Sequence, residues 1–241
     1  MRNISTFLTL LTLALLGTGC ASDESHGTII VTAYGESYIE DGIPSSVLDD
    51  GWSLDFDHFK VTIDDVLVGE AELTDIKAVD LTKSSAGDGQ ELGAVLVAAG
   101  DHTDASFAIT QVEVEGQATK KDVTKTFHWI FKQTTNYTEC DAITTVKDGG
   151  TATFQVTVHA DHLLFDSIVS SDPAVLFGPL AAADTDDDGE ITQQELEQTD
   201  IGDYDPGSED GVDDLWTYLT ALSRTVGHVN GEGHCHAQAD D

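Results

Sequence analysis

Residues 184–195 read Asp-Thr-Asp-Asp-Asp-Gly-Glu-Ile-Thr-Gln-Gln-Glu. Asp184, Asp186 and Asp188 stand at alternate positions, so their short carboxylates converge on one point when the segment curls. Gly189 permits the sharp turn that aims the Glu190 carbonyl at that point. Thr192 can hold a water ligand, and Glu195 is long enough to close the shell with both oxygens. A shell of hard oxygen donors suits Ca²⁺ and is a poor home for zinc or copper.

Histidines form a second constellation. His159-Ala160-Asp161-His162 follows an apolar run, and the tail reads Gly227-His228-Val229-Asn230-Gly231-Glu232-Gly233-His234-Cys235-His236. Imidazoles, carboxylates and a thiolate together can hold zinc, copper or iron, and the glycines would let the tail wrap closely. The candidate transition-metal ligands are His159, His162, His234 and His236. Three plainer roles stand beside that one: His159 on the polar face of a strand, His162 as a helix cap, and His234 and His236 in a solvated tail. His58, His102 and His128 sit in or beside strands and read as surface or core histidines.

With Asp184, Asp186 and Asp188 at positions 1, 3 and 5, Gly189 at 6, Ile191 at 8 and Glu195 at 12, the first segment resembles an EF-hand calcium loop. The resemblance implies calcium held by the side chains of Asp184, Asp186, Asp188 and Glu195 and by the backbone of Glu190. The segment from Asp203 to Asp214 occupies the place of a partner hand, but Ser208 falls where the turn glycine belongs and Asp214 replaces the bidentate glutamate. It reads as an acidic loop capping the next helix, with a distorted second site as the alternative. A calcium sensor opens a methionine-rich groove between paired hands. This chain has one complete loop, and its single methionine is Met1, so a structural brace is expected in place of a switch.

The N-terminus carries Arg2, an apolar run from Phe7 to Leu16, and Gly17-Thr18-Gly19-Cys20. It resembles a bacterial lipoprotein signal, which implies cleavage after residue 19, lipidation of Cys20 and a lipid-anchored, extracytoplasmic protein of the cell envelope. The run is too short to span a bilayer as a helix. The formal net charge of −35 excludes nucleic acid as a partner, because the phosphates would repel it. Acidic residues in every segment read as a salt-adapted, solvated surface. The chain has three cysteines. With Cys20 lipidated, Cys140 and Cys235 are left to form a disulfide in an exported protein, with Cys235 as a metal ligand the competing reading.

These groups need elements to position them. From Thr28 to Phe165 apolar residues recur with period two, the mark of half-buried strands. The phase flips near Asp57-His58, which predicts a bulge. Leu92–Ala99 is almost wholly apolar, as in a strand buried on both sides. After Phe165 the texture turns helical. Asp172-Pro173 reads as a helix start, Pro179–Ala183 enters the calcium loop, a short helix runs from Thr192 to Asp200, and Leu215, Leu219, Leu222 and Val226 form one stripe with Gly227 as the end cap. The expected architecture is therefore mainly β, an antiparallel sandwich or barrel, with a C-terminal helical EF-hand-like module. Its parts would be a signal peptide at 1–19, a tether at 20–27, a β-domain at 28–165 and a helical calcium-binding module with a His-rich tail at 166–241.

No nucleophile elbow, phosphate-cradling glycine loop or Cys-x-x-Cys is present, so no catalytic residue is assigned. The expected function is that of a non-enzymatic, lipid-anchored calcium-binding protein with an envelope partner the sequence does not name. The alternatives are a transition-metal protein built on the His/Asp/Cys cluster and a carboxylate-dependent hydrolase.

Overall fold

Alternating apolar residues set the inner faces of the strands. Ile29, Val31 and Ala33 are fully buried along one strand, Phe59, Val61 and Ile63 along another, and Phe154, Val156 and Val158 along a third. The computed structural model describes residues 25–74 and 78–239. Within them the strands are β1 (His26–Tyr34), β2 (Ser53–Val68), β3 (Ala71–Leu73), β4 (Ala78–Asp80), β5 (Gln90–Ala98), β6 (Gly100–His102) and β7 (Ala105–Lys120). They continue with β8 (Val123–Phe131), β9 (Thr135–Thr138), β10 (Thr144–Val146), β11 (Thr151–Val158), β12 (Glu190–Ile191), β13 (Gly227–Val229) and β14 (His236–Ala239). The helices are short: α1 (Glu36–Glu40), α2 (Gly178–Ala181), α3 (Gln193–Leu196) and α4 (Leu215–Leu222), with a 3-10 turn at Asp161–Leu164.

The protein is mainly β. One sheet has the order β13-β11-β1-β5, and a larger one is built on β12-β8-β7-β2-β3, with β4 on β2 and the β9–β14 pair attached through β7. Their inner faces share a single apolar core, an arrangement consistent with a β-sandwich. The bulge expected near Asp57 is present: the β2–β7 register shifts between Phe56 and His58. Asn136-Tyr137-Thr138 lies in a strand, β9.

Several expectations need correction. The sheets are mixed, because β1 runs parallel to β11 and β12 parallel to β8. β5 is not buried on both sides. It is an edge strand of its sheet, and Val97 is buried while Leu96 is 69% exposed. Asp172-Pro173 starts no helix, and the segment after Phe165 is not purely helical. It returns strands to both sheets, β13 onto β11 and β14 onto β9.

Gly227 opens β13 and caps no helix. A Cβ there would lie 2.6 Å from the Tyr137 ring, so the close approach of tail to sheet requires glycine. Cys140 and Cys235 form a disulfide, which fastens the same tail beside β9. The expected signal peptide and Cys20 lie outside the described residues.

Candidate metal centres

The acidic loop is built between two single turns of helix. α2 ends at Ala181, the chain enters at Asp184, and α3 leaves from Thr192, its N-cap. Thr192 and Glu195 form a capping box: the Thr192 amide donates to Glu195 Oε2 at 3.0 Å, and the Glu195 amide donates to Thr192 Oγ1 at 3.3 Å. The Thr185 amide donates to the other oxygen, Oε1, at 2.9 Å. Glu195 is thus turned back across the loop toward Asp184. These bonds, the Thr192 amide foremost, hold its carboxyl below the ordinary glutamate pKa.

Gly189 has φ +92°, a backbone shape costly for other residues, and its amide donates to Asp184 Oδ2 at 3.0 Å. Asx turns close the rest of the curl, with Asp188 donating its amide to Asp186 Oδ1 and Glu190 its amide to Asp188 Oδ1. Ligand oxygens of Asp184, Asp186 and Glu195 lie within 4.8 Å of one another. Asp188 and Glu190 complete the turn without joining that group.

Asp184 is the deepest member. Its side chain is 0% exposed, and Oδ1 is buried with no hydrogen-bond partner among the described residues. The Lys125 ammonium, from β8, donates to its other oxygen, Oδ2. That contact depresses the Asp184 pKa and raises the Lys125 pKa. Sequence alone gave no sign of Lys125, an ordinary alternating strand residue.

The loop is docked onto the sheet by its last residues. Glu190 and Ile191 form β12, in parallel register with Thr126 and Phe127 of β8. The Thr126 amide donates to the Gly189 carbonyl at 2.8 Å, and the buried Trp129 indole donates to the Ile191 carbonyl at 2.9 Å. The segment 203–214 plays a different part: Asp214 caps α4, its Oδ1 accepting the Thr217 amide at 2.8 Å.

The histidines gather elsewhere. His159 follows the end of β11, His162 lies on the 3-10 turn, and His228 is the middle residue of β13. Because β13 pairs with β11, setting His228 opposite Thr157, the three rings meet. Their centroids are 4.3 Å apart for His159–His228, 5.0 Å for His162–His228 and 5.2 Å for His159–His162. One nitrogen from each falls within 4.8 Å of the others.

His159 and His228 are buried, and His228 Nδ1 has no hydrogen-bond partner among the described residues. Burial, reinforced by the neighbouring rings of His159, His162 and His234, pushes His228 down to about 3. Burial also lowers His162. The Glu36 carboxylate stands 3.8 Å from His159 Nε2; Glu36, His159 and Glu232 form a further group of the same compactness.

Of the four expected histidines, then, His159 and His162 come together. His234 sets its ring, tilted by 60°, 5.2 Å from that of His228 without joining the group of three. His236 does not belong to it: it is exposed on β14, opposite Thr138. Cys235 is oxidised to the disulfide and offers no thiolate. The residue missed was His228. Its signal was its place in the short apolar run Gly227-His228-Val229, masked by the glycines that follow. His58, His102 and His128 are bonded to Asp80, the Ala98 carbonyl and Glu113. Comparison of the chain with protein-family models, curated proteins and solved structures finds no match.

Proposed function

We propose that the chain is an exported, lipid-anchored calcium-binding protein of the cell envelope, in which calcium at residues 184–195 braces an EF-hand-like loop against a β-sandwich. The observation that carries this reading is Asp184 Oδ1. A buried carboxylate oxygen with no protein partner is costly. This one belongs to a group of three carboxylates close enough to share one ion. Asp186 and Glu195 supply further hard oxygens, and Asp188 and the Glu190 backbone come next in the turn.

The Ile191 side of the loop is paired with β8. The sheet therefore takes the place that a second hand would fill, which favours a fixed brace over a sensor that opens. Lipidation at Cys20 rests on the signal-like N-terminus, and the disulfide is in keeping with an oxidising compartment.

Thermal melting with and without chelator tests the reading. Extracellular sites bind at roughly 10⁻⁴–10⁻³ M, and ligand at 100 times Kd stabilises by about 2.7 kcal/mol. For a domain of this size, saturating calcium should raise Tm by roughly 5–10 °C over EDTA, and Glu195→Gln should abolish most of that difference. Equal melting curves with and without calcium in the unaltered chain would reject the brace.

A further inference from the structure

We propose that His159, His162 and His228 form a second metal site, distinct from the calcium loop, that takes a borderline transition-metal dication of the zinc or copper(II) class. Three imidazoles, one just after β11, one on the 3-10 turn and one in β13, converge at the end of the β11–β13 pair, with one nitrogen of each within 4.8 Å of the others. Aromatic packing alone does not demand this. A core filled for volume would hold apolar side chains here, as it does at Phe154, Val156 and Val158 of β11.

The buried Nδ1 of His228 gives the independent sign. It is a polar atom removed from water with no partner among the described residues, and such atoms are rare in folded proteins. A metal ion would satisfy it.

The surroundings suit ligation. His162 Nδ1 lies 2.7 Å from the Thr225 carbonyl, so it acts as the donor, and the lone pair is left on Nε2. Orientation of a metal-binding imidazole by a backbone carbonyl through its other nitrogen is the usual outer-sphere arrangement. His159 Nε2 is 3.4 Å from the Gly231 carbonyl and 3.8 Å from Glu36 Oε1, and Glu232 shares that compact group, which places two carboxylates at the edge of the site to offset a dication's charge.

A recess of about 250 Å³, lined by His162, His228 and His234 among others, gives access from the surface. Three nitrogen ligands and an accessible side match sites that keep a coordination position open to water or another small donor. They do not match calcium, which needs six to eight oxygens.

The site is held rigidly. β13 is hydrogen-bonded to β11, Gly227 is packed on Tyr137, and the Cys140–Cys235 disulfide fixes the following turn.

The test is competition titration with Zn²⁺ against a chromophoric chelator. It uses the full chain purified without an affinity tag, in excess calcium, followed by Cu²⁺ loading and electron paramagnetic resonance. The expected result is one tight Zn²⁺ equivalent, and a Cu²⁺ spectrum split by imidazole nitrogens. His162→Gln should weaken Zn²⁺ at least tenfold and reduce the nitrogen splitting, while the calcium-dependent rise in Tm is retained. His162 is only partly buried, so this variant is the primary test, and His228→Ala should act in the same direction. Glu195→Gln should leave the Zn²⁺ equivalent intact. Zn²⁺ affinity unchanged in folded His162→Gln, or a Cu²⁺ spectrum without nitrogen splitting, would overturn the site.

Discussion

Lys125 and Asp184 set the electrostatics of the acidic loop. A lone ammonium on the deepest carboxylate neutralises part of a loop that otherwise holds only negative charge. It also opposes any cation that arrives. Replacing it should separate these two effects. Lys125→Gln is expected to lower the Tm measured in EDTA and to tighten calcium binding by roughly tenfold, equivalent to about 1.4 kcal/mol, as read by calorimetric titration.

Asp80 offers a second test at this scale, far simpler because no metal is involved. Burial alone would raise its pKa, but bonds from the His58 ring, Thr82 and the Phe59 amide outweigh it and hold the carboxyl below the usual range. A carboxyl depressed in the folded state contributes stability above its unfolded pKa of about 3.9 and loses it as pH falls. Asp80→Asn should therefore lower the urea midpoint clearly at pH 7 and much less at pH 3.

At the scale of elements, the two-residue strand β12 ties loop to sheet. Its anchor is the buried Trp129 indole on the Ile191 carbonyl. Trp129→Phe keeps most of the apolar volume but leaves that carbonyl without its donor. A cost of about 1–3 kcal/mol in unfolding free energy is expected, with a weaker calcium-dependent rise in Tm because the loop loses its seat.

The strands were the most legible elements. Period-two alternation found β2, β7, β8 and β11 and even the bulge at Phe56–His58. The turn at 184–195 was legible too: Gly189 takes the left-handed shape expected of it, and the carboxylates of Asp184, Asp186 and Glu195 converge. What the sequence did not carry was pairing at a distance. The setting of His228 beside His159 follows from the β13–β11 ladder, and Lys125 reaches Asp184 only because β12 lies on β8. The edge position of β5 was hidden for the same reason: burial depends on neighbours, and local composition does not name them.

In the whole molecule, charge and cross-linking act against each other. A formal charge of −35 makes the compact state repel itself, while the disulfide joins residues 95 apart and limits the freedom of the unfolded chain. On the chain-entropy account such a closure is worth roughly 4–5 kcal/mol. Reduction by dithiothreitol should accordingly lower the guanidinium midpoint at fixed calcium, and Cys140→Ser with Cys235→Ser should reproduce the shift without reductant. A midpoint unchanged by both would show that β13 and β14 hold the tail unaided.

The central place of β1 has a kinetic consequence. Its partner in parallel register is β11, with Thr28 opposite Thr151, so its first strand cannot complete the ladder until more than half of the polypeptide has been made. During synthesis β1 and β5 can form only an open pair, with the β1 edge that β11 later covers left bare as well as the outer edge of β5, a species prone to association. Contacts so distant in sequence also slow the search for the native arrangement. The dense negative charge then takes on a protective role: it keeps nascent chains apart through the interval before β11 arrives.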